Sequence, residues 1–249
     1  MSKKLVYSLA VLCLVCLMCL SFVGGYIFAE SRESDDSWAY AMDNIICVGD
    51  SLTEGARFNG DKLGIISQSY PHYLGRMLSA EVTNAGASGY SASDWYEEKI
   101  DQYDFADYDC AVIWLGTNEG YTDTLAEDVE AYGSYQDYAK TETGYYCRII
   151  ERIKEQNPDC LILLMNIYAS KSDVELSNQV IDKIAQRYDL HVIDTQSLNM
   201  DNTQLHAGRT NPHMGKAGNI AAARLIVEDV SRWLAEAPVR CEFGLDFVK

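Results

Sequence analysis

Beyond residue 42 the chain alternates two kinds of segment. Residues 44–49, 110–115, 160–165 and 190–193 are short runs in which nearly every position is apolar, and 81–84 is a shorter, more polar relative of them. Between them, apolar residues recur every three or four positions. Tyr73, Leu74, Met77 and Leu78 do so in 70–80, and Val180, Ile181, Ile184 and Tyr188 in 174–188. Ala222, Ile226, Val230 and Trp233 form the same stripe in 217–234, and 135–156 reads as mostly helix with an interruption near Gly144. A run that is apolar on both faces belongs to a strand covered on both sides, and strands separated by helices pair in parallel. The expected fold is therefore α/β: a three-layer α/β/α sandwich around a parallel sheet of about five strands. In such sheets sites form at the carboxyl ends of the strands.

The N-terminus has a different pattern. After Lys3 and Lys4, residues 5–29 carry no charge. A spanning helix needs about 20 apolar residues and a secretory core only about 7–15, so the run fits a membrane helix. The two lysines keep its start in the cytoplasm and place the rest of the chain outside. Cleavage after Ala29 or near Val23-Gly24-Gly25 is the alternative, giving a secreted domain. The expected division is a signal-anchor or signal peptide at 1–29, a polar linker at 30–42 and one domain at 43–249.

Charge excludes some partners. The formal net charge is -17, and the first 30 residues hold only Lys3, Lys4 and Glu30, so the acidity lies in the domain. Phosphate backbones need a basic face, which excludes nucleic acid. A domain lying flat on anionic lipid is excluded for the same reason. Of the eight cysteines, Cys13, Cys16 and Cys19 fall in the apolar run, and Cys47, Cys110 and Cys160 in or beside strands. An odd number remain beyond the run, with no C-x-x-C pair among them, so they read as core residues rather than a disulfide frame.

Three apolar runs end in glycine-containing polar loops: Gly49-Asp50-Ser51-Leu52-Thr53-Glu54-Gly55, Asn84-Ala85-Gly86-Ala87-Ser88-Gly89-Tyr90 and Gly116-Thr117-Asn118-Glu119-Gly120. Parallel topology brings these loops to one rim. A serine, a glycine amide and an asparagine amide then converge, which is a nucleophile with oxyanion donors. Singly, each is an ordinary helix cap or turn residue. The serine needs a base. Of the four histidines, His72 falls in a helix and His191 in a strand, while His206 and His213 lie in the loop that opens on the rim. His213 directly precedes a helix and is the better base, with His206 second. Asp50 reads as a residue that shapes the turn by binding loop amides.

These loops resemble the sequence blocks of the SGNH/GDSL hydrolases. The first matches that family's nucleophile block almost residue for residue, which maps the nucleophile to Ser51. The second maps its glycine to Gly89, and the Gly-x-Asn block maps to Gly116-Thr117-Asn118. The histidine block, with glycine five residues on and an alanine-rich helix, fits His213, Gly218 and Ala221-Ala222-Ala223 and does not fit His206. The resemblance spans about residues 43–235. It implies an esterase with Ser51 and His213 as catalytic pair, Ser51, Gly89 and Asn118 as oxyanion hole, and no metal or cofactor. Its substrate would be an extracytoplasmic glycan or lipid ester. One position departs: the family's aspartate three residues before the histidine is Thr210 here. That leaves a dyad helped by a carbonyl, or an acid from elsewhere in the loop, for which Asp201 is the candidate. Two other activities remain open on the same pattern, an envelope O-acyltransferase and a catalytically silent carbohydrate-binding module.

Overall fold

The computed structural model describes residues 42–59, 62–121, 125–206 and 211–236. The apolar run at 5–29, most of the linker and Thr210 lie outside the described residues. No helix among the described residues is long and apolar enough to cross a membrane.

Strand β1 (Asn44–Gly49) opens the domain, followed by a single helical turn α1 (Ser51–Glu54) and an antiparallel hairpin of β2 (Ala56–Asn59) and β3 (Lys62–Ile65). Then come α2 (Tyr70–Leu78), β4 (Glu81–Gly86), α3 (Ala92–Lys99), β5 (Cys110–Trp114) and α4 (Glu142–Gln156). The chain continues through β6 (Leu161–Met165), α5 (Val174–Tyr188), β7 (His191–Ile193) and α6 (Lys216–Glu236). The main sheet has five strands in the order β4-β1-β5-β6-β7, every pairing parallel. Its strands are the apolar runs: Ile45 to Val48, Cys110 to Trp114 and Leu161 to Met165 are buried throughout. Helix α2 packs on α6, and α3 on α4, giving the two outer layers. Cys47, Cys110, Cys147 and Cys160 are free thiols in this interior.

Strand order positions the site. From β1 the chain crosses to β4 on one side, then from β4 back over β1 to β5 on the other. The connections diverge at the carboxyl ends of β1 and β5, which opens a crevice there. Ser51 follows β1 and Asn118 follows β5.

One reading needs correction, and one element is absent from the sequence reading. The helix expected over 135–156 begins at Glu142, capped by the Thr141 hydroxyl, which accepts from the Gly144 N–H at 3.2 Å; Gly144 sits in the first turn rather than at a break. The β2–β3 hairpin was not anticipated, because residues 56–65 mix apolar and polar positions without a run of either kind.

Candidate active site

The nucleophile loop is built from Asp50. Its side chain, fully buried, accepts from the Leu52 N–H at 2.8 Å and so starts α1. Gly55, at φ 95, ends the helix after one turn. The turn is too short to satisfy its own first amides, and Ser51 sits at its N-terminal end. Burial pushes the Asp50 carboxyl up to about 6, against the lowering effect of the Leu52 amide and the Thr117 hydroxyl.

The second loop is stitched to this turn. Asn84 Nδ2 donates to Thr53 O and to Ser69 Oγ, both at 2.9 Å, and the Ala87 N–H donates to Gly49 O at 3.0 Å. Glu54 accepts from the Ser88 N–H at 2.8 Å and, more closely, from its hydroxyl. The backbones press together so tightly that a Cβ on Gly86 would overlap the backbone of Glu54. Gly89 follows at φ 84, in the left-handed region that glycine adopts without strain.

Asn118 joins the loops. Its Nδ2 donates to Tyr90 O, next to Gly89, at 2.9 Å, and lies 3.3 Å from Asp50 Oδ2, next to Ser51. Its own N–H donates to Glu119 Oε2 at 2.9 Å.

The last strand's loop supplies the imidazole. His213 Nε2 lies 3.0 Å from Ser51 Oγ. On the other side of the ring, Nδ1 lies 2.7 Å from Asn211 Oδ1, which also accepts from the His213 backbone N–H at 3.0 Å. The backbone N–H can only donate, so the amide oxygen is the atom facing His213. Nδ1 therefore carries the proton, and Nε2 is left bare to accept from the serine hydroxyl. Burial, with His206 nearby, holds the His213 pKa below its ordinary value. Tyr168, wedged edge-on against Trp114, donates its hydroxyl to Pro212 O at 2.8 Å and steadies the segment before His213.

The sequence-derived residues thus separate into two groups. Ser51, His213 and Asn118, with the loop carrying Gly89, come together. Asp201 does not take the place expected of it. Its N–H is tied to Asn199 Oδ1, and Nδ1 has a single hydrogen, which goes to Asn211. The orienting group is an amide two residues before the histidine, not a carboxylate from the far end of the loop. Asn-Pro-His was readable as an Asx turn, in which an asparagine side chain caps the N–H two residues on, and that signal was passed over. His206, second choice as base, is 7% exposed with Nε2 2.6 Å from Leu198 O, and its backbone bridges to Met214. It braces the loop that carries His213. Asp194 accepts from Asn166 Nδ2 and the Gln196 N–H, a role in the turn after β7. Among the described residues no cluster of three or more His, Cys, Asp or Glu side chains could hold a metal ion.

The profile of the GDSL-like lipase/acylhydrolase family matches residues 47–220, which takes in all of these loops. The chain belongs to the GDSL-like lipase/acylhydrolase family. It is a hydrolase of ester bonds. Similar solved structures carry the same fold. A lipase/acylhydrolase from Enterococcus faecalis is 18% identical, with a TM-score of 0.52, over 77% of this chain and 97% of that one. The acetyl xylan esterase AlAXEase is 19% identical, with a TM-score of 0.53, over 75% and 99%. A carbohydrate esterase family 2 enzyme with a carbohydrate-binding domain, from Corynascus thermopiles, is 17% identical, with a TM-score of 0.56, over 78% and 67%. No curated protein matches the chain by sequence. In this GDSL hydrolase the group beside the imidazole is Asn211.

Proposed function

We propose that this GDSL hydrolase is a serine esterase working by two-step acyl transfer through Ser51 and His213. The observation that carries the reading is the 3.0 Å approach of Nε2 to Oγ, with the ring's other nitrogen already committed to Asn211. Oγ attacks the ester carbonyl carbon as Nε2 takes its proton, and the carbonyl π pair moves to oxygen. Collapse of that adduct breaks the bond to the alcohol oxygen, which leaves with the proton from Nε2. A water then gives its proton to Nε2 and attacks the acyl carbon. The acid departs and the proton returns to Oγ. The N–H groups of Ser51 and Gly89, with Asn118 Nδ2, hold the oxyanion. The Nδ2 hydrogen nearer Asp50, in the longer 3.3 Å contact, is the one that swings to it.

Place and substrate belong to the same proposal. Residues 5–29 anchor the protein, and the domain faces away from the cytoplasm, where acetylated glycans and lipid esters are met. Two solved structures of similar fold are named for esters of carbohydrate, which makes acetylated glycans the first substrates to try.

The test is labelling by a fluorophosphonate, with turnover of p-nitrophenyl acetate and a panel of butyryl, long-chain and acetyl-xylan esters. Ser51→Ala should abolish the label and cut kcat by roughly 10⁴-fold or more. A Ser51→Ala protein that still turns over, or a wild type that takes no label, defeats the reading. Transfer of the acetyl group to added sugar in preference to water would redirect it to an acyltransferase.

A further inference from the structure

Two buried carboxyl groups flank Asn118, and the mechanism above uses neither as acid or base. Asp50 touches its side-chain amide, and Glu119 its backbone amide. Glu119 is the more unusual. It is 2% exposed, Oε2 accepts from the Asn118 N–H at 2.9 Å, and Oε1 has no protein partner among the described residues. Its main-chain carbonyl is fixed as well, accepting from Ser172 Oγ at 2.9 Å.

We propose that Glu119 is a positioning residue for the ester hydrolysis: through Oε2 it holds the backbone from which the Asn118 amide reaches the oxyanion, and it does so as an uncharged carboxylic acid. The inference rests on the oxyanion role given to Asn118 above.

The carboxylates facing Glu119 disfavour its charge, against the lowering effect of its own and the Asn118 backbone N–H groups, and buried tyrosines complete its surroundings. Asp50 approaches from the end of β1, and Glu142 and the buried Tyr146 from α4. Tyr121, also buried, comes from its own loop. Lys171 is the nearby cation, and its field falls on Asp50. An ionised Glu119 would be a buried anion with no cation to pair it among the described residues, the arrangement proteins avoid by keeping the proton. Burial, then Asp50, push its carboxyl up to about 8. Losing that proton sets a second negative charge beside the amide that must stabilise an oxyanion. Activity should therefore fall as pH rises through that value, where a Ser–His enzyme limited only by its base would stay level.

The experiment follows p-nitrophenyl acetate hydrolysis by the full chain from about pH 5.5 to 9.5, corrected for spontaneous hydrolysis, in wild type, Glu119→Ala and Glu119→Gln. Alanine removes the acceptor, and kcat should drop about 10–100-fold with KM within about twofold. Glutamine keeps an acceptor oxygen and cannot ionise. It should restore most of kcat near neutrality and abolish the alkaline decline. An alkaline limb that persists unchanged in Glu119→Gln overturns the proposal, as does a folded Glu119→Ala protein with wild-type kcat. Should Glu119→Ala fail to fold, the pH profile of Glu119→Gln decides alone. Ser51→Ala labelling, run alongside, separates a failure here from a failure of the serine esterase reading: if the label is lost with Ser51 while the profile is unmoved, only Glu119 is misassigned.

Discussion

Asn211→Ala is the most direct trial of the active-site geometry, because one oxygen does two separable jobs. Oδ1 accepts from His213 Nδ1 at 2.7 Å and from the His213 backbone N–H at 3.0 Å. The backbone bond is a neutral one in a turn, and its loss should cost about 0.5–1.5 kcal/mol of stability. The Nδ1 bond matters more during reaction, since the ring becomes an imidazolium when Ser51 gives up its proton. A hydrogen bond to a charged group contributes about 1.5–3 kcal/mol, which corresponds to a loss of roughly 10–150-fold in kcat. The loss should be in kcat with KM little changed, as no substrate contact is removed. Asn211→Asp provides the complement. A carboxylate in the same position keeps the acceptor, adds charge and raises the imidazole pKa, so the acid limb of kcat/KM should move to higher pH. The assay is steady-state hydrolysis of p-nitrophenyl acetate against pH, with thermal melts to separate the stability effect. An Asn211→Ala enzyme within twofold of wild-type kcat would refute the assignment. So would an Asn211→Asp profile whose acid limb does not shift. Asp201→Ala serves as the contrast and should leave kcat within about twofold, since surface changes away from a site rarely do more.

Four further outcomes are expected. His213 must be neutral to act, and burial lowers its pKa, so kcat/KM should fall on acidification with a midpoint below 6.5. Asp50 and Glu119 are raised to about 6 and about 8 from ordinary values of 3.8 and 4.5. The native state therefore binds their protons more tightly than the unfolded chain. That stabilisation is complete below about pH 4 and is lost as pH rises through 6 and then 8, so melting temperature should decline across that window, by the equivalent of a few kcal/mol. The upper part of the decline should vanish in Glu119→Gln; a flat wild-type curve would count against both buried acids. Gly86→Ala should lower melting temperature severely through overlap with the Glu54 backbone, whereas Gly89→Ala meets no atom within 4 Å and costs only the about 1–2 kcal/mol of a left-handed residue. Gly89→Ala should show its main effect in kcat. His206→Ala should destabilise by about 1–3 kcal/mol, measured by urea unfolding, because Leu198 O loses its donor in a buried place.

Much of the fold is legible because its signal is local. The run at 44–49 is apolar on both faces, which only a covered strand tolerates, and the 174–188 periodicity coincides with α5. The parallel pairing follows from the architecture expected of such strands, but the order β4-β1-β5-β6-β7 is not local and no sequence window carries it. The start of α4 is hard to read because Gly144 looks like a breaker; its amide is instead what the Thr141 cap needs, and the Tyr135–Asp137 turn before it is separate from the helix. At the site, Ser51, Asn118 and His213 were found because their blocks have fixed spacing. Asn211 is not legible in the same way, because a neutral amide gives no charge signal to follow. Glu119 stands in its loop as one more acidic residue of an acidic chain. What its burial does to it is reinforced by Asp50 and Glu142, which lie in other elements, so no sequence window contains the cause.

Asn211 and Glu119 make one electrostatic pattern. A carboxylate beside Nδ1 would favour the imidazolium and raise the base's pKa; the amide orients the ring without that field, so burial is free to lower the pKa. At the opposite side of the crevice, the acid behind the oxyanion donor is held uncharged by burial and by Asp50. Neither support places a full negative charge against the reacting carbonyl, where it would oppose the oxyanion. The two supports also set opposite limbs of the pH profile, the base below 6.5 and Glu119 near 8. Because they touch different loops, their effects should be independent: combining Asn211→Asp with Glu119→Gln should move the acid limb up and erase the alkaline one, each as in the single variants. A double variant whose limbs shift by other amounts would mean that the two ends of the crevice are coupled through Ser51 and Asp50, and the separation of roles drawn from their contacts would have to be abandoned.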